Sequence, residues 1–114
     1  MADPIPLVKG MLDTLVLRAL AWAPMHGVEI IEWLETRSGG RLAADDSAVY
    51  QAVYRMEARG LVSADWGVTA SNRRARYYAI TPAGREHLRA ETRRWLRTAQ
   101  VVVDVLGPQP RTAG

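Results

Sequence analysis

Between residues 73 and 97 the chain holds eight arginines and two glutamates, whereas residues 1–72 hold six Lys/Arg against nine Asp/Glu. Of the 15 basic side chains in the sequence 14 are arginine, whose planar fork of donors fits phosphate oxygens and the edge of guanine. Charge segregated in this way points to a polyanion. Read from charge alone, a solvated basic helix face accounts for it equally well. Arg73, Arg74 and Arg76 stand together in a β-prone run that follows a turn-rich stretch. Arginines at the tip of a hairpin suit a narrow minor groove and the phosphates beside it.

A second group lies upstream. Ser47, Gln51, Tyr54 and Arg55 share the outer face of a segment whose other face is apolar. Gln51 and Arg55 are one turn apart, and both side chains can reach a base edge or a phosphate. Tyr50, on the flank, either touches a phosphate through its hydroxyl or packs against the hairpin. Acid–base and metal chemistry are poorly served by comparison. The two histidines, His26 and His87, have no ligand spacing between them, and cysteine is absent. No Gly-rich phosphate loop, nucleophile elbow or cofactor fingerprint occurs. The expectation is therefore a non-enzyme with no cofactor and no metal.

These residues have to be positioned by few elements, because 114 residues support one modest core and an appendage. A first helix over 11–22 places Leu12, Leu15, Val16, Ala19 and Leu20 on one face and ends at Pro24. A second runs from Gly27 to about Arg37, with Ile30, Ile31 and Leu34 inward, and stops at Gly39–Gly40. The cap cluster Asp45-Asp46-Ser47 opens a third, ending at Arg59 before Gly60, in which Val49, Ala52, Val53 and Met56 repeat at helical spacing. Leu61–Trp66 and Arg73–Thr81 then read as a hairpin across a polar connection. On it Tyr78 and Ile80, like Leu61 and Val62, are expected to pack inward, and Trp66 and Trp22 read as core residues or edge covers. Thr81-Pro82 starts a fourth helix that nothing breaks before Gly107-Pro108. At 1.5 Å per residue it is about 37 Å long, too long to hide within so small a domain.

Leu88, Thr92, Trp95, Ala99, Val102 and Leu106 follow that last helix in alternating steps of four and three, the spacing of a coiled-coil seam. Of these, Leu88, Trp95, Ala99, Val102 and Leu106 are the expected dimerisation contacts. The fold class expected is thus mainly α with a small β-hairpin: a winged helix-turn-helix over residues 1–81, a dimerisation helix over 82–106 and a flexible tail over 107–114. The lack of cysteine fits a reducing compartment. With no basic n-region before an apolar core and no apolar run of membrane-spanning length, the chain reads as soluble and cytoplasmic, with no membrane partner.

The order of elements is joined by a resemblance. Leu15-Val16-Leu17-Arg18-Ala19-Leu20, Met25-His26-Gly27-Val28-Glu29-Ile30, the run from Val49 to Val62 and the run from Asn72 to Arg85 resemble successive signatures of the PadR family, in register from Leu7 to about Leu88. Two positions depart from the pattern: Gln51 stands where proline is frequent, and Val28 where tyrosine is frequent. Base preference therefore does not transfer from relatives. The single C-terminal helix is similar to the short subgroup of that family.

The resemblance implies a homodimeric winged-helix repressor of double-stranded DNA, acting on a pseudo-palindromic operator and released by a small molecule. It also implies a second role for Trp95, since some short members hold flat aromatic effectors between dimer-related tryptophans; the competing reading is a purely structural knob. Two other functions are compatible with parts of the sequence. One is a winged-helix protein-interaction module without DNA binding. The other, a basic helix lying on anionic membrane, fits a seam of Ala, Val and Trp less well than a partner helix does.

Overall fold

In the computed structural model, which describes residues 5–8 and 10–108, four helices and five short strands follow one another as β1 (Ile5–Pro6), α1 (Met11–Trp22), β2 (Met25–His26), α2 (Gly27–Ser38), β3 (Leu42–Ala43), α3 (Asp46–Ala58), β4 (Val62–Val68), β5 (Arg74–Ile80) and α4 (Pro82–Leu106). Each helix starts and stops where local chemistry dictates. The Asp45 carboxylate accepts the Ala48 N–H at 2.8 Å to open α3, and Thr81 Oγ1 accepts the Gly84 N–H at 3.0 Å to open α4, with Pro82 in the first turn. Gly39, at φ +64°, takes the left-handed conformation that closes α2.

The cap of α2 is less usual. His26 Nδ1 accepts the Glu29 N–H at 3.4 Å while Glu29 Oε1 accepts the His26 N–H at 3.1 Å, a reciprocal box with histidine in the place of serine or threonine.

The core is where the periodicities place it. Val16, Ala19 and Leu20 of α1, with Leu17, meet Ile30 and Leu34 of α2 and the full stripe Val49, Ala52, Val53 and Met56 of α3. Tyr78 and the Leu61–Val62 pair are buried with them, and Ile80 is partly buried against the same cluster. The hairpin is longer than expected at one end. β4 continues through Gly67 to Val68, which pairs with Arg74, while Val62 pairs with Ile80 at the base. A third strand was not foreseen: β2 pairs antiparallel with β5, Met25 opposite Tyr78 and His26 opposite Tyr77. Likewise β1 and β3 form a parallel pair, Ile5 with Leu42 and Pro6 with Ala43. Two-residue strands carry no periodicity to detect.

The two tryptophans expected to be core or edge covers are neither: Trp22 is 75% and Trp66 60% exposed. Trp22 is the last residue of α1, and Trp66 lies on the open half of the hairpin, past the point where helices cover it.

α4 leaves the body. Its first turns pack on α1 and β5, Leu88 is buried in the core, and every residue from Leu96 to Leu106 is exposed. The molecule is accordingly elongated, 67 × 35 × 20 Å. No helix of the described residues is long and apolar enough to cross a membrane. Of the expected tail, residues 109–114 lie outside the described residues.

Candidate nucleic-acid interface

Two tyrosines of α3 and one face of the hairpin form the walls of a groove of about 540 Å³, bordered by the start of α2. Tyr50 and Tyr54 line it from α3, Arg73, Arg74, Arg76 and Trp66 from the hairpin, His26 from β2 and Gly27 from the start of α2, whereas Ser47, Gln51 and Arg55 are not among its lining residues. The pleat explains the hairpin wall. Side chains alternate along a strand, so Arg74 and Arg76 lie on the same face as Tyr78, whose burial fixes that face toward the helices. Farther out the helices no longer cover the strand, and the same face is left to arginine.

Each wing arginine is held differently. Arg74 lies over the exposed ring of Trp66, 4.7 Å from its centroid, a cation–π contact that orients the guanidinium without neutralising it. Arg76 donates from Nη2 to Glu57 Oε2 of α3 at 2.8 Å. Arg73 is exposed in the turn, where its backbone N–H donates to Thr69 Oγ1 and its carbonyl accepts from the Thr69 N–H. Asn72 turns the chain there at φ +63°, a conformation asparagine tolerates better than most residues.

On α3, Gln51 and Tyr54 are exposed, with Tyr54 beside the Tyr78 phenol. Arg55 donates from Nη2 to Asp13 Oδ1 of α1 at 2.7 Å. Ser47 donates its hydroxyl to the capping carboxylate of Asp45 at 2.9 Å. Together with the Ala48 N–H this holds the Asp45 carboxyl below the usual carboxylate value.

Tyr50 is half-buried and lines the groove across from the hairpin. Its ring lies against Gly27, so that a Cβ at residue 27 would overlap the ring and one of the two would have to shift. Burial pushes the Tyr78 phenol up from its ordinary value, with Tyr54 beside it contributing in the same direction.

The expected dimerisation residues divide into two sets. Leu88 belongs to the chain's own core. Trp95 is half-buried, with the Arg94 guanidinium 5.2 Å from its ring centroid, and its Nε1 is the one shielded side-chain polar atom without a hydrogen-bond partner among the described residues. Ala99, Val102 and Leu106 are exposed, as are Leu96, Val101, Val103 and Val105. The histidines serve other ends: His26 caps α2 and stacks edge-on with Tyr77 at 5.4 Å, and His87 Nε2 stands 4.0 Å from Glu91. No three metal-ligating side chains cluster among the described residues.

Sequence reasoning missed three functional features here: the Trp66–Arg74 stack, and the carboxylate partners Asp13 of Arg55 and Glu57 of Arg76. The first was signalled by the eight-residue spacing of an aromatic and an arginine across a predicted hairpin. The ion pairs, one between residues 42 positions apart, left no signal in spacing.

Comparison with known proteins bears on the fold and the family. The model of the transcriptional regulator PadR-like family matches residues 16–90, from α1 into α4. A protein of the transposon Tn4556 from Streptomyces fradiae is 37% identical over 94 residues, which make up 82% of this chain and 26% of that protein, so the chain spans about a quarter of that relative. Among solved structures, a PadR family transcription regulator from Clostridium difficile superposes with a TM-score of 0.72 at 25% identity, over 86% of this chain and 100% of that one. A Streptococcus mutans protein superposes with a TM-score of 0.81 over 95% of this chain and 97% of its own, at 19% identity, and shares the fold. The signatures along the sequence, the winged helix-turn-helix that they build and the family match over most of its length therefore agree: the chain belongs to the PadR-like family of DNA-binding transcriptional regulators.

Proposed function

We propose that this regulator is a repressor that binds a pseudo-palindromic duplex as a homodimer, with α3 in the major groove and the β4–β5 wing on the adjacent minor groove and phosphates. One observation carries the reading. Tyr50 and Tyr54 of α3 and the wing arginines Arg73, Arg74 and Arg76 border one groove on the body, while α4 projects from it with an uncovered apolar surface. In this reading residues 1–81 are the DNA-binding unit and 82–106 the dimerisation arm. Ser47, Tyr50, Gln51, Tyr54 and Arg55 contact bases or phosphates from α3, and Arg73, Arg74 and Arg76 do so from the wing.

Dimerisation is supported by the state of α4. An isolated helical stretch of a few turns is marginal in water, and one exposing Leu96, Val101, Val102, Val103, Val105 and Leu106 gains stability when a second copy covers it. Trp95, Ala99, Val102 and Leu106 would then face their counterparts. The shielded Trp95 N–H supports a further element of the proposal, a planar aromatic effector between the two indoles that lowers DNA affinity.

The test is a mobility-shift assay on the promoter region of the chain's own gene, with and without the triple substitution of Arg73, Arg74 and Arg76 by alanine. Tight binding by the native chain and its loss in the variant are expected. A native chain that shifts no duplex at low ionic strength would favour the protein-interaction reading. For the effector, quenching of Trp fluorescence by planar aromatic compounds should saturate in the native chain and disappear in Trp95→Ala.

A further inference from the structure

The proposed interface contains an internal contradiction of charge. The helix assigned to read the major groove carries Asp46, Arg55 and Glu57, so its net charge is −1. Moreover its one arginine is paired with Asp13 at 2.7 Å, and its Glu57 pairs with the wing's Arg76 at 2.8 Å. Of the four arginines in the interface, two are thus matched by carboxylates and two, Arg73 and Arg74, have no carboxylate partner among the described residues. Neither pair is deeply buried: the side chains of Arg55 and Asp13 are 55% and 20% exposed, those of Arg76 and Glu57 40% and 30%.

A guanidinium has five N–H donors. In each pair the contact runs through one terminal nitrogen, leaving the other edge able to donate to a base or to a phosphate held in register. A neutral pair, however, adds little to the long-range attraction of a polyanion, which depends on net positive charge and the counterions it releases.

We infer that Asp13 and Glu57 are specificity-determining residues: they hold Arg55 and Arg76 as neutral pairs, which suppresses sequence-blind phosphate binding while the free donor edges stay available for positioned contacts. The inference rests on the DNA-binding reading of the groove. It assigns the electrostatic anchoring of the chain to Arg73 and Arg74, and the restraint on that anchoring to two acids outside the contact set itself.

The experiment is a salt series of fluorescence anisotropy titrations against a short duplex of scrambled sequence, comparing the native chain with Asp13→Asn and Glu57→Gln. Each substitution frees one arginine. Each should therefore tighten binding to the scrambled duplex about three- to tenfold at low salt and steepen the log–log salt dependence by about one. Glu32→Gln makes the same change in formal charge at an exposed acid that pairs with no interface arginine, and should leave the slope unchanged. In the double variant Asp13→Asn/Arg55→Gln the gain should vanish. Asp13→Ser and Glu57→Ala serve as second variants, with circular dichroism and melting curves run on all of them. Unchanged slopes, or weaker binding by correctly folded variants, overturn the inference, because the acids would then only orient the arginines. A native chain that ignores every duplex overturns the DNA reading and the inference together, whereas a native chain that binds beside variants that do not change overturns the inference alone.

Discussion

Asp45 shows how one side chain links the start of α3 to solution conditions. Its carboxylate accepts both the Ala48 N–H and the Ser47 hydroxyl, and these bonds lower its pKa. A carboxyl depressed in the folded state contributes stability that is present above its unfolded value and is lost as pH falls through the folded value. Acid should therefore fray the start of α3. The amide signals of the first turn of α3 should lose hydrogen-exchange protection below the ordinary carboxylate range, and Asp45→Ala should remove that pH dependence. Tyr78 acts at the other end of the scale. Burial raises its pKa, so the folded state holds the proton more tightly than the unfolded one. Stability is then full below the ordinary tyrosine value near 10 and falls as pH rises beyond it; Tyr78→Phe should flatten the alkaline limb of a pH series of urea melts. Gly27 and Tyr50 form a third residue-scale case. Gly27→Ala forces a Cβ into the Tyr50 ring and should cost about 1–3 kcal/mol by urea denaturation. The double variant with Tyr50→Ala should be less destabilised than the two single effects combined.

At the scale of elements, the sequence was most legible where apolar periodicity and caps coincided. The stripe Val49, Ala52, Val53 and Met56, bracketed by the acidic cap cluster and Gly60, defines α3 to within a residue. Thr81-Pro82 and Gly107 bound α4 at both ends. Pairings beyond local reach were not legible. β2 is two residues long and is held by β5 across half the chain, and the histidine cap of α2 lies outside the residue types that announce a helix start. Trp66 and Trp22 were misread because large aromatic residues are usually buried, whereas here one stacks under an arginine and both stand in solvent. In the candidate site, side-chain types and faces could be read, but the partners Asp13 and Glu57 could not, since ion pairing depends on the packing of α1 on α3 and of the wing on α3. One element contact gives a sharp test. A Cβ at Gly84 would lie 2.1 Å from the Leu61 carbonyl oxygen, a backbone atom that cannot swing aside. Gly84→Ala should displace α4 from the hairpin and destabilise the fold by about 1–3 kcal/mol or more, visible as a lowered urea midpoint.

For the whole molecule the question is how two bodies are held together. Leu88 is committed to the chain's own core, so the surface left for a second copy begins near Trp95 and runs to Leu106. Val102→Asp and Leu106→Asp place charges within that surface and touch nothing in the body. Sedimentation at micromolar concentration should show a dimer for the native chain and a monomer for the pair of substitutions, with the melting behaviour of the winged helix retained. A monomer in both would remove the two-fold arrangement from the proposal.

Thr81 joins three parts of the molecule. Its hydroxyl donates to the Gly60 carbonyl behind α3 at 2.7 Å while accepting from Gly84 of α4, and its N–H donates to the Leu61 carbonyl at the foot of the hairpin. The root of the projecting rod is therefore pinned directly against the C-terminal end of α3. Beyond Leu88, which fixes the first turns in the core, about 27 Å of helix projects, so a tilt of about 5° there sweeps the far tip through about 2 Å, and in the proposed dimer the same tilt would instead swing the two bodies. In that proposed dimer, whatever wedges the two rods apart near Trp95 would alter the span between the two α3 helices without touching either of them.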